Sequence, residues 1–198
     1  MGHRRKESNP HKQNRRQAHS TQVVPSSPQG GLSVEAKGWT ILAHPEFLAQ
    51  IERLVAAAEA EGAGRQTGPG PNTKLLAHLL DLAFEKIPGD PGNAAFRHGG
   101  TLRGDRKNWF RAKTGNGRYR LFYRFQSSAR LIVYAWVNDE TALRTYGSRT
   151  DAYAVFSRML DAGNPPDDWD ALVASASDRS AKQRFSKIAK RPRRQREN

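Results

Sequence analysis

GRYRLFYRF, residues 117 to 125, is the stretch on which the fold turns. Read with a period of two, it has two faces. Tyr119, Leu121, Tyr123 and Phe125 form an apolar face, and Arg118, Arg120, Phe122 and Arg124 a basic one. The apolar face belongs on a core. WFRAK (109–113) lies before it and RLIVYAWV (130–137) after it. TGNG and QSSA join the three pieces, and both are turn-rich connections of hairpin length. The reading is a small antiparallel meander, with Thr101-Leu102 and Thr145-Tyr146 as candidates for shorter strands.

Upstream, GWTILAHP (38–45) suggests a short first strand stopped by Pro45. PEFLAQIERLVAAAEAEG (45–62) places Phe47, Leu48, Ile51, Leu54, Val55 and Ala58 at helical spacing. NTKLLAHLLDLAFEKIPG (72–89) puts Leu75, Leu76, Leu79, Leu80, Ala83 and Ile87 on one stripe, with Asn72 or Thr73 as cap. The two make a helical hairpin that must bury its stripes on the sheet. Downstream, TDAYAVFSRMLDAGNPP (150–166) reads as a helix capped by Thr150, and DDWDALV (167–173) as a shorter one. The fold class is α+β: a small antiparallel sheet, an amino-terminal helical hairpin and carboxy-terminal helices.

The 198 residues carry a formal charge of +14, unevenly spread. Residues 1–22 are net +5 and residues 179–198 net +8. Both segments are polar and poor in large apolar residues, so disorder is the expectation. The domain plan is a basic tail and linker over 1–36, one folded domain over 37–176, and a second basic tail over 177–198. Inside the domain, residues 97–149 hold twelve Lys/Arg against three acids. That is a local footprint for a polyanion.

Cysteine is absent, which excludes disulfides and thiolate metal sites. The amino terminus lacks the apolar core of a signal peptide, and no apolar run approaches a membrane span. A soluble cytoplasmic protein is expected, with no membrane partner and no cofactor. HExxH, Walker and GxSxG motifs are all missing. Of six histidines, only His98, beside Arg97 in FRHGG, falls in the basic stretch.

If Lys113 and Arg118 flank the TGNG turn, Arg111 faces Arg120 across the ladder, and Arg124 continues the row. No acid lies between Lys107 and Arg130. Like charges opposed on one sheet face are destabilising, so the fold alone does not ask for them. Arginine forks and lysine point charges suit phosphate, and Phe122 or Trp136 could stack on bases if they are not core. Metal-dependent nucleases usually hold Mg²⁺ with carboxylates, of which this stretch has almost none. RNA brings its own nucleophile, the 2′-hydroxyl. Lys113 or a tyrosine could then share the proton transfers.

Several longer motifs resemble the YhaV family: AFRHG (95–99), GRYRLFYR (117–124), NDETALRTYG (138–147), TDAYAVFSRML (150–160) and PPDDW (165–169), with GW and AHP near the start. They run in order over residues 37–173. The resemblance implies a RelE-like fold and the toxin of a type II toxin–antitoxin system. It implies a metal-free mRNA endoribonuclease, an mRNA interferase associated with translating ribosomes, that inhibits translation and growth. Its implied partner is a PrlF-type antitoxin, through which alone the complex would reach operator DNA. Carried onto this sequence, the catalytic set is Arg111, Lys113, Arg120, Arg144 and Tyr146. Arg97, His98, Arg118, Arg124, Arg149 and Tyr153 would bind RNA. NDETALRTYGSR is longer than the matching part of short RelE toxins, and the basic tails lie outside the family pattern. The rival reading is a non-catalytic RNA- or ribosome-binding module, a decayed toxin. A DNA-binding regulator would need a helix-turn-helix, which is not visible.

Overall fold

Strand β4 (Tyr119–Gln126) pairs antiparallel with β3 (Phe110–Thr114) on one side and β5 (Leu131–Val137) on the other, as the alternation predicts. The computed structural model describes residues 32–63, 68–97, 100–102 and 105–191. The sheet is larger than the meander. β1 (Val34–Ala36) and β2 (Trp39–Ala43) form a hairpin, and β2 lies parallel to β5. The order is β1-β2-β5-β4-β3, a mixed sheet rather than a purely antiparallel one. β1 falls inside the segment expected as linker. Neither Thr101-Leu102 nor Thr145-Tyr146 forms a strand.

The helical hairpin is α1 (Pro45–Ala63) and α2 (Pro71–Asp81), the latter continuing through a π-helical turn (Leu82–Lys86) into α3 (Ile87–Gly89). The α2 cap is not Asn72 or Thr73. Gly70 is the cap residue, and the Glu61 carboxylate of α1 accepts from the backbone N–H groups of Asn72 and Thr73, both at 3.0 Å. The π turn has a local cause. Ile87 N–H donates to Leu82, so the next π-type donor for Ala83 O would be residue 88. That residue is proline, with no N–H. The buried Tyr134 hydroxyl donates to Ala83 O instead, at 2.5 Å.

Helices cover both faces of the sheet. On the first, Ile41, Leu121, Tyr123, Ile132 and Tyr134 pack against the hairpin. On the second, Leu42, Phe122, Val133, Ala135 and Trp136 pack against α4 (Ala152–Asp161) and α5 (Trp169–Ala176). The β4–β5 register steps from Phe122↔Trp136 to Tyr123↔Tyr134 and passes over Ala135. This extra residue lets Ala135 and Trp136 share the second face. Phe122 and Trp136 are therefore core: Phe122 stacks on Phe156 at 4.1 Å and is fully buried. The face read as basic is basic only at its two ends.

The second tail is corrected as well. Arg179–Ala189 forms helix α6, capped by Asp178, and buries Ala181, Phe185 and Ile188 in the first core. Phe185 stacks on Phe84 at 5.8 Å, and Arg184 forms a two-point ion pair with Glu52 of α1 at 2.7 and 2.8 Å. Among the described residues no helix is long and apolar enough to cross a membrane. The amino-terminal tail over residues 1–31 lies outside the described residues.

Candidate functional site

The β3–β4 turn sets the register of the cationic residues. Gly115, Asn116 and Gly117 all adopt positive φ (54°, 52° and 76°), and Thr114 pairs with Tyr119. The loop is thus GNGR, one residue later than TGNG. Arg120 opposes Lys113, and Arg111 opposes Phe122, in place of the expected Arg111–Arg120 pair.

Arg111 and Arg120 are buried, 8% and 5% exposed, which rules out a merely solvated row of charges. Both guanidinium groups approach Tyr153, from the first turn of α4. Arg111 Nε donates to the Tyr153 hydroxyl at 2.7 Å, and another of its nitrogens donates to Ala95 O at 2.6 Å. Arg120 stands 6.0 Å from the Tyr153 ring centre and donates to the carbonyls of Gly117 and Tyr119. Its Nε is buried without a partner, the one such side-chain atom among the described residues. A buried cationic donor with no acceptor is costly, and it marks a place where an anionic acceptor would be welcome.

Arg144 completes the group, 5.2 Å from the same ring and 5.1 Å from the ring of Tyr146. It is held by Asp151, a buried carboxylate that sequence reasoning passed over in favour of Thr150 as cap. Asp151 accepts from Tyr153 N–H at 3.0 Å, from Thr145 N–H at 2.8 Å and from the Arg144 guanidinium. One side chain thereby caps α4 and ties the loop after β5 to it. The caps of neighbouring helices by aspartate (Asp168 for α5, Asp178 for α6) follow the same pattern, and that repetition was the available signal. Asn138 was also missed. It is buried, and its side-chain oxygen accepts from Arg120 N–H at 2.5 Å. So Arg111, Arg120, Arg144 and Tyr153 come together, with exposed Lys113 and Tyr146 at the rim.

The other candidates lie elsewhere. The Arg118 side chain is exposed next to the turn, while its carbonyl accepts from Arg144 N–H at 3.1 Å. Arg149 is exposed in the loop before α4. Arg97 and Arg124 belong to the opposite end of β3 and β4: Arg97 over Phe110 at 4.9 Å, Arg124 between Trp109 and Trp169 at 5.6 and 5.3 Å. His98 lies outside the described residues. His44, outside the basic stretch, is buried and accepts from Glu46 N–H at the start of α1, at 3.2 Å. Among the described residues no group of three or more His, Cys, Asp or Glu could hold a metal ion.

The α+β domain, consistent with a RelE-like fold, gathers three guanidinium groups about one phenol, the donor types that suit a concentrated anion. Residues 41–177 match the model of Toxin_YhaV, described as a toxin with endonuclease activity, of a toxin–antitoxin system. The chain belongs to this YhaV toxin family, and an antitoxin is accordingly its partner. Toxin YhaV of Escherichia coli O6:H1 (strain CFT073) is 46% identical over 143 residues, covering 69% of this chain and 90% of the relative. The protein named Ribonuclease toxin YhaV of Escherichia coli K12 is 45% identical, with the same coverage. No solved structure matches the chain.

Proposed function

We propose that this toxin is an mRNA endoribonuclease that works without a metal, at the arginine cluster around Tyr153. The observation that carries this reading is the Arg120 Nε donor, buried and unpartnered on a guanidinium that stands 6.0 Å from the Tyr153 ring. The name of the K12 relative supports RNA as the substrate.

In this reading the 2′-hydroxyl attacks the adjacent phosphorus. The 2′-O–P bond forms and the P–O5′ bond breaks, leaving a 2′,3′-cyclic phosphate and a 5′-hydroxyl. The 2′-hydroxyl proton goes to a base, and a proton is delivered to the departing O5′. Arg111, Arg120 and Arg144 would hold the phosphate and the extra negative charge of the transition state. Lys113 and Tyr146, exposed at the rim, would carry the protons. The Tyr153 oxygen already accepts from Arg111, so its own hydrogen is left to donate to a phosphate oxygen. Arg97, Arg118, Arg124 and Arg149 would guide the flanking RNA. The one carboxylate of the cluster, Asp151, is engaged by α4 and Arg144 rather than free for a cation.

Messenger RNA on the ribosome is the proposed target, with loss of translation and growth as the outcome and a PrlF-type antitoxin as the restraint. Primer extension on cellular mRNA, with the chain expressed alone and with its neighbouring antitoxin gene, tests this. New 5′ ends should appear only without the antitoxin. Growth arrest with intact mRNA would favour the non-catalytic ribosome binder.

A further inference from the structure

β4 runs past the start of β3, and there the sheet edge is hollowed into a cavity of about 350 Å³. Phe110 and Phe125 supply apolar wall, and Trp169 closes one side from the start of α5. Arg97, Lys107 and Arg124 supply charge, and among the described residues no acidic side chain lines the space. Two amides, Asn108 and Gln126, complete the rim, both exposed.

The cations are already arranged. Arg97 lies over the Phe110 ring, and its backbone bridges to β3 at the same residue. Arg124 is held between Trp109 and Trp169, and one guanidinium nitrogen donates to Asp167 O at 2.5 Å. Lys107 is exposed. Arg124 follows Arg120 by four residues on the same strand face, a span of ~13 Å at the usual strand rise. Arg111 links the two ends, because the Ala95 carbonyl it binds lies two residues before Arg97.

We propose that this cavity is a nucleotide subsite of the same RNA-cutting site, taking one base and its phosphate a few nucleotides from the cut. The proposal rests on the RNA reading above. Its size falls at the lower end of small-molecule pockets, enough for a single base. Every base has a π face that aromatic walls hold irrespective of sequence, and the cations meet the phosphate. Selectivity would come from Asn108 and Gln126. An amide offers a donor and an acceptor side by side, the pattern that pairs with the adenine edge. The AFRHG and PPDDW motifs gain a shared purpose, since they supply Arg97 and Trp169 to one cavity.

The test is steady-state cleavage of a random-sequence RNA pool, with the cut ends sequenced, by the full chain and its variants. Trp169→Ala should raise KM roughly tenfold while kcat changes little, since one stacked base is lost. Trp169→Phe should restore KM, which separates stacking from folding. Lys107→Glu, at an exposed position, should also raise KM. Asn108→Ala with Gln126→Ala should erase the nucleotide preference at one position away from the cut and leave preferences beside the cut intact. Cleavage by every variant with parental KM and parental preferences overturns the subsite and leaves the endoribonuclease reading standing. A parent chain that cuts no RNA overturns both.

Discussion

At the scale of single residues, two buried side chains decide how the molecule responds to its surroundings. His44 accepts a hydrogen bond at the start of α1, so its imidazole must be neutral there, and burial lowers its pKa to about 4. In the unfolded chain it titrates near ~6.5. Its contribution is therefore complete above ~6.5 and is lost as pH falls toward 4, because only the unfolded chain takes up the proton in that window. The loss is on the order of 3 kcal/mol. Denaturant unfolding at pH 7.5 and pH 4.5 should show it. His44→Asn, which keeps an acceptor but does not titrate, should flatten the difference. Glu52, held below the usual carboxylate range by its hydrogen bond with Arg184, acts only at lower pH. Arg120 is the second residue. A solvent-facing arginine opposed to another cation would be removable at no cost. The observed one is buried and holds two carbonyls of the β3–β4 turn, so Arg120→Ala should lower stability modestly.

At the scale of elements, α4 and α6 carry the tests. Asp151 both caps α4 and holds Arg144. Asp151→Asn should keep the cap and nearly the parental melting temperature, yet slow RNA cleavage, because Arg144 loses its charged partner. Asp151→Ala should lose both, with about 1–2 kcal/mol gone from the missing cap alone. Paired melting curves and cleavage rates would distinguish the two. For α6, Phe185→Ala should cost about 3–5 kcal/mol, as for other buried phenylalanines. Ending the chain at Asp178 should cost at least as much, whereas ending it at Arg191 should cost little. A circular-dichroism melt of each reads this directly.

The same elements mark what the sequence makes legible. The three strands β3 to β5 and both hairpin helices follow from alternation and helical stripes, because each has one strongly apolar face. Helix α6 hides because Ala181, Phe185 and Ile188, at the i, i+4 and i+7 places, are its buried apolar residues within a segment of high charge. It also lies beyond residues 41–177, where the family match ends. The β3–β4 loop lies one residue later than the composition suggests, which moves each strand partner by two, since consecutive positive-φ residues move the loop centre, a backbone effect that residue pairing rules do not carry. The covered second face did leave a trace. Phe122 interrupts the arginines, and β5 is apolar at nearly every place, as strands buried on both faces are.

For the whole molecule, the charge pattern matters more than its total. The candidate catalytic residues Arg111, Lys113, Arg120, Arg144 and Tyr146 are legible as residue types in a basic stretch; the convergence of Arg111, Arg120 and Arg144 on Tyr153 is a product of the tertiary fold. RNA binding should weaken steeply with salt, since each neutralised phosphate of a single strand contributes about −0.7 to the slope of log K against log salt. Removing residues 1–30 should shallow that slope and leave the cleavage rate at saturation unchanged. A filter-binding series at several salt concentrations measures it.

The central claim is that the guanidinium cluster, without a metal, stabilises the transition state of RNA cleavage. It is tested most directly by the single-turnover cleavage rate of the parent and of Arg120→Ala in excess EDTA, each with a melting curve. The account predicts that the parent cuts in EDTA and leaves 2′,3′-cyclic phosphate ends. Arg120→Ala should stay folded and bind RNA nearly as well, but cut roughly 10²- to 10³-fold more slowly. Parental activity that vanishes in EDTA and returns with Mg²⁺ would contradict it, as would an Arg120→Ala variant that cuts at the parental rate.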